Sequence, residues 1–183
     1  AVTQLIFDTA GCSAKVYVDN FYFYSENATQ PTVEAPLPTI DASDVMSIFS
    51  DSYTSVGISE LNPNWWQTTT LTPFDIAGNN IWRYDLLNYT GIVTDYGNPT
   101  NLSGMQYVHF DYWTPDATVL WLKIVNTVIG EEDIKFVPNV ITGTWVSVSI
   151  ALGDYNIDPS GVTQLIFDTT GASATVYIDN LYF

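Results

Sequence analysis

Residues 162–183, "VTQLIFDTTGASATVYIDNLYF", close the chain, and residues 2–23, "VTQLIFDTAGCSAKVYVDNFYF", repeat them without a gap at an offset of 160, with 17 of 22 positions identical. Chance does not produce such a match, so one structural unit occurs twice. Each copy is two short runs rich in β-branched and aromatic residues around a Gly-containing turn, "TTGAS" in the second, and that composition belongs to strands. The last run holds one irregularity. Val176 and Ile178 share a face, whereas Leu181 and Phe183 fall on the opposite parity. One extra residue at Asp179-Asn180 restores a single apolar face, as a β-bulge does, and re-aims Asp179.

The same period of two runs back along the chain. Val108, Phe110 and Tyr112 alternate with Tyr107, His109, Asp111 and Trp113; Leu120, Leu122 and Ile124 with Trp121 and Lys123; Val146, Val148 and Ile150 with Trp145, Ser147 and Ser149. Turn residues in "AGNN", "YGNPTN" and "TGTW" break the runs about every ten residues, and no window carries a long apolar stripe at helical spacing. This predicts an all-β fold, two packed antiparallel sheets forming a β-sandwich. Residues 25–40, "SENATQPTVEAPLPTI", have three prolines and no period and read as a linker. The expected organisation is therefore a tandem array cut out of frame: residues 1–24 are the last two strands of a preceding module, 25–40 a linker and 41–183 a complete module. An orphaned hairpin is marginal alone, so residues 1–24 are expected to dock on a sheet of their own module or of a neighbouring molecule by strand exchange. Cys12 aligns with Ala172, which argues against a shared role for that thiol.

Four basic against 20 acidic residues give a net charge of −16. Such a surface repels nucleic acid and anionic membranes and leaves neutral partners favoured. No apolar run approaches the roughly 20 residues that cross a bilayer. With one cysteine and one histidine, neither an intrachain disulfide nor a Cys- or His-rich metal site can be built.

Candidate binding residues follow from the aromatic ones. In "LNPNWWQTTT", residues 61–70, Trp65 and Trp66 are adjacent, and in an extended chain they point to opposite faces, so at least one faces water or a ligand. Asn62, Asn64 and Gln67 beside them are neutral amides that donate and accept. Flat rings with amides suit a hydroxyl-covered ligand such as a sugar. Trp121 is assigned to the face opposite Leu120, Leu122 and Ile124. Arg83, between Trp82 and Tyr84, shares a face with Asp85 and can also bond vicinal hydroxyls. A Ser-His-Asp machine would have to run through His109, whose face-mate is Asp111, but no nucleophile-elbow pattern accompanies it; a polar role on a ligand face is expected, and no catalytic residue is assigned. Asp51, after the first strand, and Asp179, at the bulge, are oxygen ligands of the kind calcium takes.

Taken together, "VMSIFSDSYT", "NPNWWQ", "NNIWRYDLLNYTGI", "HFDYWTPDAT", "TWVSVSIALGDY" and the closing 22 residues resemble jelly-roll carbohydrate-binding modules, which occur in tandem in secreted, multimodular glycan-binding and glycan-degrading proteins of marine Bacteroidota. The resemblance spans residues 41–183 and the N-terminal fragment. It implies a jelly roll, a non-catalytic role and a secreted or cell-surface setting. It also implies a polysaccharide partner, with a neutral β-glucan such as the β-1,3-glucan laminarin foremost, and a structural Ca2+ with Asp179 at the matching last-strand position. A structural or adhesive spacer module, or a polysaccharide hydrolase or lyase on the same fold, are the competing readings.

Overall fold

The computed structural model describes residues 5–19, 21 and 28–183. Eleven strands are present among them: β1 (Ser47–Phe49), β2 (Glu60–Leu61), β3 (Thr70–Ile76), β4 (Asn79–Leu87), β5 (Tyr89–Val93), β6 (Tyr107–Trp113), β7 (Trp121–Asn126), β8 (Glu131–Phe136), β9 (Val146–Ala151), β10 (Gln164–Asp168) and β11 (Ala174–Tyr182). They form two antiparallel sheets. One is ordered β3-β4-β11-β6-β9, with β1 also on β11; the other is β2-β5-β10-β7-β8. The expected all-β sandwich is what the chain forms, and no α-helix occurs among the described residues.

The alternation read from the sequence explains the core. Val108, Phe110, Tyr112, Leu122, Ile124, Leu165, Phe167, Val176 and Ile178 are all fully buried in one cluster between the sheets. Most of the stabilisation comes from this apolar area removed from water, at about 25 cal/mol per Å2.

The bulge lies where the parity change puts it. Asp179 pairs with Asp111, but the next β11–β6 pair is Tyr182 with His109, so the register slips between them. Asn180 takes the left-handed conformation that this requires, with φ of 50°, and Leu181 and Phe183 rejoin Val176 and Ile178 in the core. The slip also divides one edge of β11: its first half pairs with β4 and its last residues with β1.

Two features depart from the sequence reading. The closing segment is not a hydrogen-bonded hairpin, because β10 belongs to one sheet and β11 to the other, and the turn between them changes layers. In the N-terminal copy no residue of 5–19 is in a strand, so the docking of that copy on its own module's sheet is not found among the described residues. The reason is topological. Both sheets already hold β10 and β11 from the second copy, and a lone strand pair has no ladder to join. The equivalent turn nevertheless forms, with Cys12 N donating to Thr9 O at 3.2 Å as Ala172 N does to Thr169 O at 3.3 Å.

Candidate functional site

The tryptophan loop is built by its own amides. Gln67 accepts from Trp65 N at 2.7 Å and donates to Asn62 Oδ1 and Pro63 O, Asn64 accepts from Trp66 N, and Asn62 donates to Thr69 O. These bonds close a turn in which Asn62 and Trp66 both have positive φ. Gln67, expected as a ligand contact, is also the residue that closes this loop, since Asn and Gln beside a tight turn satisfy neighbouring backbone groups. The loop separates the two indoles. Trp65, half-buried, lies over Gly91 of β5, where an added Cβ would come within 2.3 Å of the ring; a glycine inside a strand is the signal for such an approach. Trp66 is 93% exposed.

Trp121 lies on the outer face of its sheet, as the alternation requires, but only 9% of it is exposed. Phe136 from the next strand packs edge-on at 6.4 Å, Lys123 Nζ stands 6.0 Å above the ring and the indole donates to Thr170 at 3.3 Å. It is not the bare platform expected, because cross-strand neighbours cover it.

Arg83 and His109 lie on the outer face of the other sheet, so the residues selected from the sequence do not converge on one site. Arg83 is committed to Asp85 at 2.9–3.0 Å and its guanidinium lies 5.8 Å from the Tyr177 ring centre. Tyr177, Trp113 and Ile81 form a small apolar cluster there with Phe74, Ile76 and Trp145. His109 stacks on Tyr182 at 4.6 Å, its Nδ1 is 2.8 Å from Ser149 Oγ and its Nε2 is 3.6 Å from Asp111 Oδ1.

Residues 30–40 do not behave as a free linker. Pro31 and Ala35 are buried, Trp145 Nε1 donates to Val33 O at 2.8 Å, Asn180 Nδ2 to Pro36 O at 2.9 Å and Tyr53 OH to Ile40 O at 2.7 Å. A proline-rich extended chain leaves its carbonyls free to accept such bonds. It crosses the outer face and divides it, with the Trp113–Tyr177 cluster on one side. On the other a cleft of about 1010 Å3 opens, walled by Thr39, Ile40 and Ser43 and floored by His109, Ser149 and Tyr182, with Gln106 and Tyr107 at its margin. Tyr107 and Ser149 share the parity of His109 and were legible as face-mates; the linker wall was not, because nothing in its composition names a partner.

Asp51 and Asp179 do come together, on the first two residues of β4. Asp179 accepts from Asn79 Nδ2 at 2.7 Å and from its neighbour Asn180 N at 2.6 Å, while Asp51 accepts from Asn80 N at 2.6 Å. Burial, with the nearby charges of Asp111 and Asp51, pushes the Asp179 carboxyl up to about 6 against two opposing hydrogen bonds. Asp111 is also buried; one oxygen accepts from Asn180 at 2.7 Å and the other has no hydrogen-bond partner. Among the described residues no three acidic, Cys or His side chains are gathered at metal-binding distance, so a cation here would draw on amide and backbone oxygens besides the two carboxylates.

Comparison with known proteins bears on the fold. No family model matches the chain, and no curated protein does. Solved structures do. The family 30 carbohydrate-binding module of a cellulosomal cellulase of Clostridium thermocellum is similar at 21% identity and a TM-score of 0.52, over 75% of this chain and 95% of that one. A family 29 carbohydrate-binding module mutant complexed with mannohexaose is similar at 12% identity and a TM-score of 0.51, over 75% and 89%. A second mutant of that module, complexed with cellulohexaose, matches at 13% and 0.51, over 75% and 88%. Likeness at this identity establishes a shared two-sheet β-sandwich.

Proposed function

We propose that the chain is a non-catalytic carbohydrate-binding module whose ligand is a neutral polysaccharide, with a β-glucan such as laminarin as the first ligand to test, and that it works as one of several modules of a secreted or cell-surface protein. The observation that carries this reading is the composition of the cleft beside His109. In a chain with 20 acidic residues, Asp44 is the only carboxylate in its lining, among Thr39, Ser43, Gln106, Tyr107, His109 and Ser149. Neutral groups that both donate and accept, next to an exposed Tyr107, suit hydroxyls and the C–H face of a pyranose. The sandwiches of similar fold that were solved with mannohexaose and cellulohexaose support it. Trp66, bare on its rigid loop, is a second sugar-facing surface in this reading, with Trp65 as its support; Arg83 and Trp121 contribute through the faces they brace.

Ser149, His109 and Asp111 follow the order of a nucleophilic triad, which is what a hydrolase reading would use. The 3.6 Å between His109 and Asp111 exceeds a hydrogen bond, and Ser149 lies within a regular strand rather than on an exposed elbow. Hydrogen-bonding hydroxyls in place is the role that fits.

Asp51 and Asp179 would hold a Ca2+ ion with oxygens of Asn79 and Asn80 at the start of β4. The donor set is hard and anionic, as that ion prefers, and a buried carboxylate beside two others gains from a bound cation.

Affinity electrophoresis tests the reading. Neutral glucans and mannans are expected to retard the protein with dissociation constants of about micromolar to millimolar, alginate not at all, and Tyr107→Ala and Trp66→Ala each to weaken retardation while leaving the melting temperature in place. Retardation unchanged in Tyr107→Ala but lost in Trp66→Ala would move the site to the loop; retardation by no neutral glycan would refute the function.

A further inference from the structure

The N-terminal copy of the closing segment adds no strand to this fold among its described residues, and the sandwich contains the slot that its sequence fits. Residues 164–168 lie between β5 and β7 and residues 174–182 between β6 on one edge and β4 and β1 on the other, so residues 162–183 supply a central strand to each sheet. Position for position, Leu5, Phe7, Val16, Tyr17 and Val18 match Leu165, Phe167, Val176, Tyr177 and Ile178. The five in the second copy are fully buried and the five in the first are all more than half exposed. We propose that residues 2–23 are an exchangeable strand pair, able to complete this sandwich in place of residues 162–183.

Local geometry and the sequence differences both permit the exchange. The turn is already set: Ala10 and Gly11 have φ of 53° and 81°, Thr170 and Gly171 of 59° and 78°, and Ala10 N donates to Asp8 Oδ1 at 2.7 Å as Thr170 N does to Asp168 Oδ1. Of the five substitutions, Ala10 for Thr170 and Cys12 for Ala172 fall on the exposed turn and Lys15 for Thr175 at a partly exposed position. Only Val18 for Ile178 and Phe21 for Leu181 enter the core. One removes a methylene and the other adds a ring, and these two misfits explain why the second copy holds the slot.

Chain connection permits it as well. Phe183 and Met46 exchange backbone hydrogen bonds at 2.8 and 2.9 Å, so the end of β11 lies beside the start of β1, and position 23 in that place is followed by a loop that has only to return to β1. Trp145 lies two strand spacings from β11, about 10 Å, and four residues along the chain from Ser149, which is level with His109 and Tyr182, about 14 Å. Residues 24–32, which can span about 30 Å when extended, reach that far, so Val33 keeps its place beside Trp145. In an array of such modules this makes neighbouring strand pairs interchangeable, and it supplies the partner that an isolated strand pair requires.

The experiment uses the full chain. Phe167→Asp with Val176→Asp places two carboxylates in the core and disables the resident copy. The expected result is a chain that keeps its β-sheet circular dichroism and a single cooperative melt at a lower temperature, rescued by residues 2–23. Adding Phe7→Asp and Val16→Asp is expected to abolish that melt. Loss of the cooperative melt in the first variant would overturn the proposal, and so would its survival in the variant with all four substitutions.

Discussion

Phe7 and Phe167 sit in the same seven residues, "VTQLIFD". The first is 61% exposed and the second has no exposed surface. Their turns share the hydrogen bond that closes them and a left-handed pair, Ala10-Gly11 and Thr170-Gly171, although only the C-terminal copy has a further left-handed residue, Ser173, so most of what local chemistry can specify is present in both copies. Among the described residues the ladders are not. Strands β10 and β11 are held by β5, β7, β4, β6 and β1, all contributed by sequence far away. A turn is a property of five residues, whereas a buried strand is a property of its neighbours; identical sequence makes that division visible within one molecule.

The largest consequence is in the core. Phe167→Ala, made in a chain beginning at residue 28 so that no second copy can substitute, is expected to cost about 3–5 kcal/mol by urea unfolding, as large-to-small changes at buried aromatic sites do. Phe7→Ala in the full chain is expected to stay within about 0.5 kcal/mol. Equal costs at the two positions would mean that the N-terminal copy is packed in solution and would erase the contrast.

The same division explains what was legible before the structure. Alternation is local, so the strands, the face shared by Val108, Phe110 and Tyr112 and the bulge at Asp179-Asn180 could all be read. The partners of a face are non-local. Trp121 was correctly set opposite the core, but the cover given by Phe136 depends on the β7–β8 register. Asn62, Asn64 and Gln67 are legible as amides suited to a hydroxyl-covered ligand, because composition shows what an amide can do; that they close their own loop depends on which backbone group lies within reach. The span 25–40 read as a linker because it lacks a period, yet its bonds to Trp145 and Asn180 make it one wall of the cleft.

Asp179 and Asp19 sharpen the comparison at an intermediate scale. The folded state holds the Asp179 carboxyl at about 6, above its usual 3.8. A raised value means that its contribution to stability is complete below about 3.8 and is lost as pH rises through 6. Without divalent cations the chain is therefore expected to melt at a higher temperature at pH 5 than at pH 7, and Asp179→Asn to flatten that difference. In the proposed calcium site an ion at about 100 times its dissociation constant is expected to add about 2.7 kcal/mol, or about 5–10 °C in a domain of this size, and a chelator to reverse it. Asp179→Ala is expected to remove this calcium response and Asp19→Ala to leave it intact. A response that survives Asp179→Ala would place the ion elsewhere.

The smallest effect is the most discriminating, because it isolates backbone conformation. Gly11 and Gly171 both have φ near 80°, and at neither would an added Cβ meet another atom within 4 Å, so packing does not differ between them. An L-residue in this region costs about 1–2 kcal/mol, and the lower entropy of the unfolded chain returns about 0.4–1 of that. Gly171→Ala is thus expected to lower global stability by about 1 kcal/mol, since its turn joins the two sheets and cannot open without unfolding them. Gly11→Ala carries the same local cost, but its turn opens by itself, and a local opening outside the cooperative unit does not move the global transition. A matching drop in melting temperature for Gly11→Ala would show that residues 5–19 unfold together with the sandwich, and that the first copy has found in solution the neighbours that β10 and β11 hold here.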